Sequence, residues 1–443
     1  MYDMQRHVSI IFSAAAMLAG ALTAAAQTES AWTLRRCIDY ARENNIQVQQ
    51  TVLQKQNADE DLLQARASAA PSLSAFTNQN FSFSRDATDD YSLKGLYAGD
   101  YGLSASMTIW AGGRIKNNRY LQEINSKAAG LDVLAVQNSI ETSVTLAYLN
   151  VLYARESVIT AENTLQASRA QAQRAEQMLL EGAISRSDCA QFTSQYASDN
   201  YNLVSAQNNL SESILSLKQL LELGLGEDFP VEFPLLGDEN VLKPIPEIAE
   251  VYSTACEIMP DMQAAELDIQ SAQLSEKIAQ ASMMPSVSAS ASLGTSNVSG
   301  IDTEFFTQLG HQVNGAVGLT LTIPILDGHS ARTSYNKAKN ATLSARLSRQ
   351  NARKEMLSTV ESLHQDAVSA QSRYIAARQK LSSAEVSYNL QCEKFEEGMI
   401  NAVDLLSEKN TYTAAQQELN QSKYQAILSV ALLNFYLGLP INL

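Results

Sequence analysis

Two octets of this chain share one plan at a separation of 216 residues. Glu181-Gly182-Ala183-Ile184-Ser185-Arg186-Ser187-Asp188 matches Glu397-Gly398-Met399-Ile400-Asn401-Ala402-Val403-Asp404. Thr108-Ile109-Trp110-Ala111-Gly112 matches Pro324-Ile325-Leu326-Asp327-Gly328 at the same spacing. Earlier in each half, Pro71-Ser72-Leu73-Ser74 and Pro285-Ser286-Val287-Ser288 lie 214 apart, so a two-residue length change falls between Pro71 and Gly112. A fixed long-range period means that one structural unit is built twice. The expected organisation is a first repeat over 27–223, a Pro-rich linker over 224–245 and a second repeat over 246–443.

Within each repeat the apolar period is helical over a very long run. Ile140, Val144, Ala147, Val151, Ala154, Val158, Ala161 and Leu165 step by three and four, and Ala172, Ala175 and Leu179 continue the series past Ser168. The second half answers with Met356, Val360, Leu363, Ala367, Ala370, Tyr374, Ala377, Leu381, Ala384 and Tyr388, then Gln391 and Phe395. A stripe of this length predicts coiled-coil packing, and its many small residues let helix backbones approach closely. Helices near 34–69 and 186–221 are each about half as long, at 1.5 Å per residue. Two of them end to end match one long helix. The helix after the first turn carries its own stripe: Phe192, Tyr196, Leu203, Ala206, Leu210, Leu217 and Leu220.

Between Pro71 and Gly112, and again after Pro285, the period changes to two. Leu73, Ala75, Thr77, Phe81 and Phe83 alternate with Ser72, Ser74, Asn78, Asn80, Ser82 and Ser84, with Phe76 out of phase. Tyr101, Leu103, Ala105, Met107 and Ile109 form the return strand. In the second half, Val287, Ala289, Ala291 and Leu293 face one way on the first strand, and Val317, Leu319, Leu321, Ile323 and Ile325 do so on the return strand. One face is apolar and the other is serine and threonine, not lysine and glutamate. That alternation over about 9–11 residues is the pattern of a membrane β-barrel. Four strands cannot close one, because the smallest have about eight, so several protomers must contribute. The polar connections near 85–100 and 295–313 are expected to be distal loops, and Asp86, Asp89 and Asp90 a solvated part of the first.

Residues 1–26 read as a signal peptide: Arg6 and His7 precede a weakly polar run from Val8, and Ala24-Ala25-Ala26 offers a cleavage site. No cysteine follows that site to carry a lipid. No later stretch reaches the ~18 apolar residues of a spanning helix. Lys+Arg number 32 against Asp+Glu 47, for a net charge of −15. This excludes nucleic acid, which needs clustered cations. Cys37, Cys189, Cys256 and Cys392 have neither CxxC nor metal spacing and read as small apolar helix residues. Catalytic motifs, metal sites and cofactor fingerprints are not found: Gly112-Gly113-Arg114 reads as a strand-to-helix bend, and His311, His329 and His364 are scattered. The expectation is no enzyme and no cofactor.

The order of these parts carries a resemblance. Strand pairs feed very long helical hairpins twice, with Glu-Gly-x-Ile at both turns, Pro-Ser starts at Pro71 and Pro285, and strand-to-helix junctions at Gly112 and Gly328. The chain resembles the TolC family of outer-membrane efflux proteins over nearly its whole mature length. The resemblance implies a mainly α fold with a membrane β-barrel part: a homotrimer with a twelve-stranded barrel in outer-membrane lipid and a long periplasmic α-barrel. It implies a passive exit duct that docks on a periplasmic adaptor (membrane fusion) protein and an inner-membrane transporter of the RND or ABC type. The alternative from another class is an exported coiled-coil scaffold without a pore, which has no need of lipid-facing strands.

The hairpin tips are the candidate site. Gly182 and Gly398 fit the left-handed position that ends a helix. Ser185 and Asn401 fit the next N-cap, with Asp188 and Asp404 at the third helical position. The resemblance adds a periplasmic gate, in which Asp404, its counterpart Asp188, and Glu408 and Glu397 ring a closed mouth; Ser407 stands where some members carry another acid. It also implies that Gly182, Ala183, Ile184, Ser185, Gly398, Met399, Ile400 and Asn401 meet the adaptor.

Overall fold

A computed structural model describes residues 31–85, 93–224 and 226–441. The signal segment 1–26 and Asp86, Asp89 and Asp90 lie outside the described residues. The first half contains α1 (Leu34–Asn44), α2 (Ile46–Ala67), β1 (Ser72–Arg85), β2 (Leu93–Ala111), α3 (Arg114–Leu180) and α4 (Arg186–Leu220). After a short α5 (Asp238–Val241), the second half contains α6 (Ile248–Ile258), α7 (Pro260–Ala281), β3 (Ser286–Val298), α8 (Phe305–His311), β4 (Asn314–Thr322), α9 (Ser330–Glu396) and α10 (Ala402–Tyr436). The duplication is carried into the elements: α3 and α9 both have 67 residues, and α4 and α10 both have 35. At 1.5 Å per residue the long helices run about 100 Å.

The helical stripes are where the sequence put them. Every residue of the two long series is buried or half-buried, from Ile140 to Leu179 and from Met356 to Phe395. Three apolar clusters hold the helices. The largest gathers Trp32, Ile38, Val144, Tyr148, Leu217, Val241 and Ile427 around the segment between the halves. That segment is packed: Val231 bridges Trp32, and Asp238 pairs with Tyr374 and Arg378. The second cluster centres on Val251, Val360 and Leu433. The third joins the two hairpin tips through Phe192, Ala175, Leu405 and Leu406. All four cysteines are free thiols, and burial pushes the Cys37 thiol up to about 12.

The helix expected near 34–69 is divided, and so is its counterpart. Asn45 ends α1 and starts α2, its side-chain oxygen accepting from the Gln47 amide while its Nδ2 donates to the Leu220 carbonyl. At the equivalent break, Pro260 opens α7, where its missing N–H is no loss. The bond from Asn45 to Leu220 seats the end of α4 against the α1–α2 corner.

The strands form one antiparallel sheet in the order β1-β2-β3-β4, so the β2–β3 pairing fuses the two halves. Its register aligns Ser72 with Ser106 and Ser290, and Ser74 with Ser104 and Ser292. Hydroxyls of Ser72 and Ser106 lie 2.9 Å apart and those of Ser74 and Ser104 2.8 Å apart. The other face stacks Leu73, Ala105, Ala291 and Val317. Phe76 falls on the serine face, with its ring over Gly102, where a Cβ would clash with it.

Four expectations about the sheet are corrected. Residues 93–100 are strand, because β2 stays paired with β1 up to Leu93. The region 295–313 contains the end of β3 and the helix α8 rather than loop alone. A bulge between Thr108 and Trp110 places Trp110, not Ile109, opposite Val287. Finally, β4 stops at Thr322, leaving Ile323 and Ile325 outside it. Pro324 has no N–H for a ladder, and Thr322 already pairs with Ser286, where β3 begins.

Candidate functional site

Each hairpin turn is built by its own backbone. In the first, the Gly182 amide donates to the Leu179 carbonyl and the Ala183 amide to the Met178 carbonyl. In the second, Gly398 donates to Phe395 and Met399 to Lys394. This double closure requires a left-handed residue at the glycine, and φ is +75° at Gly182 and +72° at Gly398. Replacing Gly398 with valine puts a β-branched residue where L-residues lose about 1–2 kcal/mol even without branching. Limited proteolysis of the folded protein should then nick the second tip faster than the first. Equal cleavage of both tips would show that the turn tolerates valine.

The two following helices are capped differently. Ser185 Oγ accepts from the Asp188 amide at 3.1 Å, and the Asp188 carboxylate accepts from the Ser185 amide and hydroxyl. That is a reciprocal box, and it occupies the carboxylate. At the second tip Asn401 Oδ1 accepts from the Asp404 amide at 2.9 Å. Among the described residues, no hydrogen bond or ion pair reaches the Asp404 carboxylate, which is exposed in the first turn of α10. Glu397 is the C-cap that follows α9 and is exposed. Glu408 is half-buried and accepts from Ser387 Oγ.

In the sequence the tip residues form one continuous set, and the structure separates them. Ile184 and Ile400 turn inward against the tip cluster. Ala183 and Met399 face out, with Met399 at 67% exposure. Leu180 and Val403, which the turn motif did not single out, are exposed at 88% and 56%. Each lies outside its helix's buried stripe at a helix end, which is the signal that could have found them.

Two cross-links between the hairpins were also not anticipated. Arg174 pairs with Glu396, and Gln171 donates to the Tyr388 hydroxyl, both joining α3 to α9. Deeper, Lys409 on α10 lies 2.5 Å from Asp199 on α4, and both are almost wholly buried. Gln195 Nε2 also donates to Asp199. At the other end, Pro71 and Pro285 immediately precede β1 and β3, and Gly112 and Gly328 have φ of +60° and +64° at the entries to α3 and α9. At Gly112 a Cβ would also strike Met284. Among the described residues, no cluster of three or more His, Cys, Asp or Glu could hold a metal ion. Nor is any described helix long and apolar enough to cross a membrane.

Comparison with known proteins places this architecture. The family profile described as "Outer membrane efflux protein" matches residues 37–222 and 251–439, one segment in each half. The chain is 23% identical to the outer membrane protein TolC of Escherichia coli (strain K12) over 322 residues. That covers 69% of this chain but 63% of TolC, less than two thirds of its length. It is 21% identical to the outer membrane efflux protein BepC of Brucella suis biovar 1 (strain 1330), covering 95% of this chain and 89% of BepC. Among solved structures, the outer membrane protein VceC of Vibrio cholerae superposes with a TM-score of 0.76 at 18% identity, covering 92% of this chain and 97% of VceC. With both halves matched and the same fold in a solved outer-membrane protein, the chain belongs to the outer membrane efflux protein family.

Proposed function

We propose that this chain is the exit duct of a tripartite efflux or secretion system, with three copies forming one channel. The observation that carries the reading is the sheet. It has one apolar face, one serine face and two unpaired edges, β1 and β4. Long exposed edges invite pairing with another chain. If β4 of one protomer joins β1 of the next, three copies close twelve strands with serines lining the lumen and the apolar face in outer-membrane lipid. A coiled-coil scaffold without a pore leaves that face unexplained.

The six hairpins of a trimer then extend the lumen through the periplasm as a helical tunnel. A duct of small hydroxyl side chains conducts without chemistry, and no catalysis is assigned to it. At its far end Leu180, Met399 and Val403 offer apolar contacts for a periplasmic adaptor that connects to an inner-membrane transporter. Ala183 and the turn backbones at Gly182 and Gly398 complete that surface. Mass measurement of the purified protein in detergent should give three chains per particle. A stable, water-soluble monomer would overturn the reading.

A further inference from the structure

Over β3 and β4 the apolar face of the sheet is short for the membrane it enters. Its apolar rows are Trp110–Val287–Leu321, Met107–Ala289–Leu319, Leu73–Ala105–Ala291–Val317 and Ala75–Leu103–Leu293. Rows on one face repeat about every 6.8 Å along a strand. At a barrel tilt of about 40°, the first and last rows are separated by roughly 16 Å of height, against an apolar band of about 25 Å in such barrels. The next rows on this face are polar, Thr77–Tyr101–Thr295 and then Gln79–Gly99–Asn297, and the face turns apolar again only on β1 and β2, at Phe81–Tyr97 and Phe83.

Helix α8 packs on those polar rows. Thr295 Oγ1 donates to the Leu309 carbonyl at 2.7 Å, and Gln308 Oε1 accepts from the Val298 amide at 2.8 Å. The Phe305 ring meets Tyr101 edge-on. Asn297 and Gln308 are buried. The outer side of the same segment displays large apolar side chains: Phe306 is 82% exposed, and Ile301 and Val313, which flank α8, are also exposed, with Asp302 and Glu304 exposed at its start and His311 at its end. The helix itself, Phe-Phe-Thr-Gln-Leu-Gly-His, contains no Asp, Glu, Lys or Arg. A segment that buries its amides and displays its large apolar side chains has the polarity of a lipid-facing surface, not of a loop in water.

We propose that α8 is an interfacial helix fixed to the outside of the barrel. It roofs the polar rows and extends the lipid-facing band into the outer leaflet, with Phe306, Ile301 and Val313 among the acyl chains. The occupant of this surface is lipid, because the surface continues the apolar rows directly below it. The inference rests on the barrel reading above, and its test separates the two.

The chain has two tryptophans. With Trp32→Phe and Trp110→Phe as background, Phe306→Trp and, separately, Leu319→Trp supply a single reporter at α8 and in the sheet. The full-length protein is reconstituted in phosphatidylcholine vesicles with acyl chains either plain or brominated near the headgroup. The expected result is a loss of emission in brominated vesicles for both variants, with little quenching of either by iodide. If Leu319→Trp is quenched by bromine while Phe306→Trp responds only to iodide, α8 stands in water and the inference fails with the barrel intact. If neither responds to bromine, the barrel reading falls and takes the inference with it.

Discussion

Replacing Lys409 with methionine should destabilise the packing of the two hairpins by about 3–5 kcal/mol, the usual loss when one member of a buried ion pair is removed. The variant leaves the Asp199 carboxylate in the interior with only Gln195 donating to it. From the ends of their helices nearest the tips, Asp199 and Lys409 lie about 20 Å and 10 Å along α4 and α10. The pair therefore fixes both the contact between the hairpins and their relative stagger. Hydrogen exchange of α4 and α10 amides in detergent should report local opening favoured by roughly a hundredfold to a few thousandfold. Adding Asp199→Leu should restore most of the protection, because well-packed apolar replacements of buried pairs are often neutral or stabilising. Unchanged exchange in the single variant would mean that water reaches the pair and compensates the lost charge.

This pair also shows where sequence reading reached its limit. Asp199 occupies the stripe position between Tyr196 and Leu203, and Lys409 follows Leu405 and Leu406 in phase. One charge of each sign on an apolar phase was visible, but nothing in a periodic pattern says that two helices 210 residues apart bring them together. The long helices were legible because 67 residues of consistent period outweigh any single exception. The strand faces were legible because alternation by two fixes which side each residue takes. Strand ends were not. Residues 93–100 contain two glycines and an aspartate and look like a turn, yet β1 opposite them holds them in register. Helix α8 is only seven residues long and its fit depends on the sheet beneath it, so no local period could announce it. At the tips the turn motif identified both glycines and both caps. It could not separate Ile184 and Ile400, which pack inward, from Met399, which does not, because that depends on how the tips meet.

The capping geometry sharpens what the two tip aspartates should do. Asp188→Ala removes the bonds from the Ser185 amide and hydroxyl and should cost about 1 kcal/mol of helix stability. Asp404→Ala keeps its cap, since the bond to Asn401 Oδ1 comes from the Asp404 backbone. Its stability cost should be confined to the charge–dipole term, about 0.3–1 kcal/mol. What Asp404→Ala does remove is an exposed carboxylate with no hydrogen-bond or ion-pair partner among the described residues. In the proposed trimer three such carboxylates converge near a narrow periplasmic mouth, close to Glu393 and Glu397. Clustered like charges concentrate cations, and the chain already carries −15. The wild-type channel should therefore prefer cations and be blocked from the periplasmic side by multivalent ones. Asp404→Ala should weaken both properties, while Asp188→Ala should mainly lower the unfolding temperature. Single-channel recording in planar bilayers, read beside thermal melts, separates these outcomes. If selectivity and block are unchanged in Asp404→Ala, its carboxylate does not face the conduction path, and the gate must be sought at Glu397 or Glu408 instead.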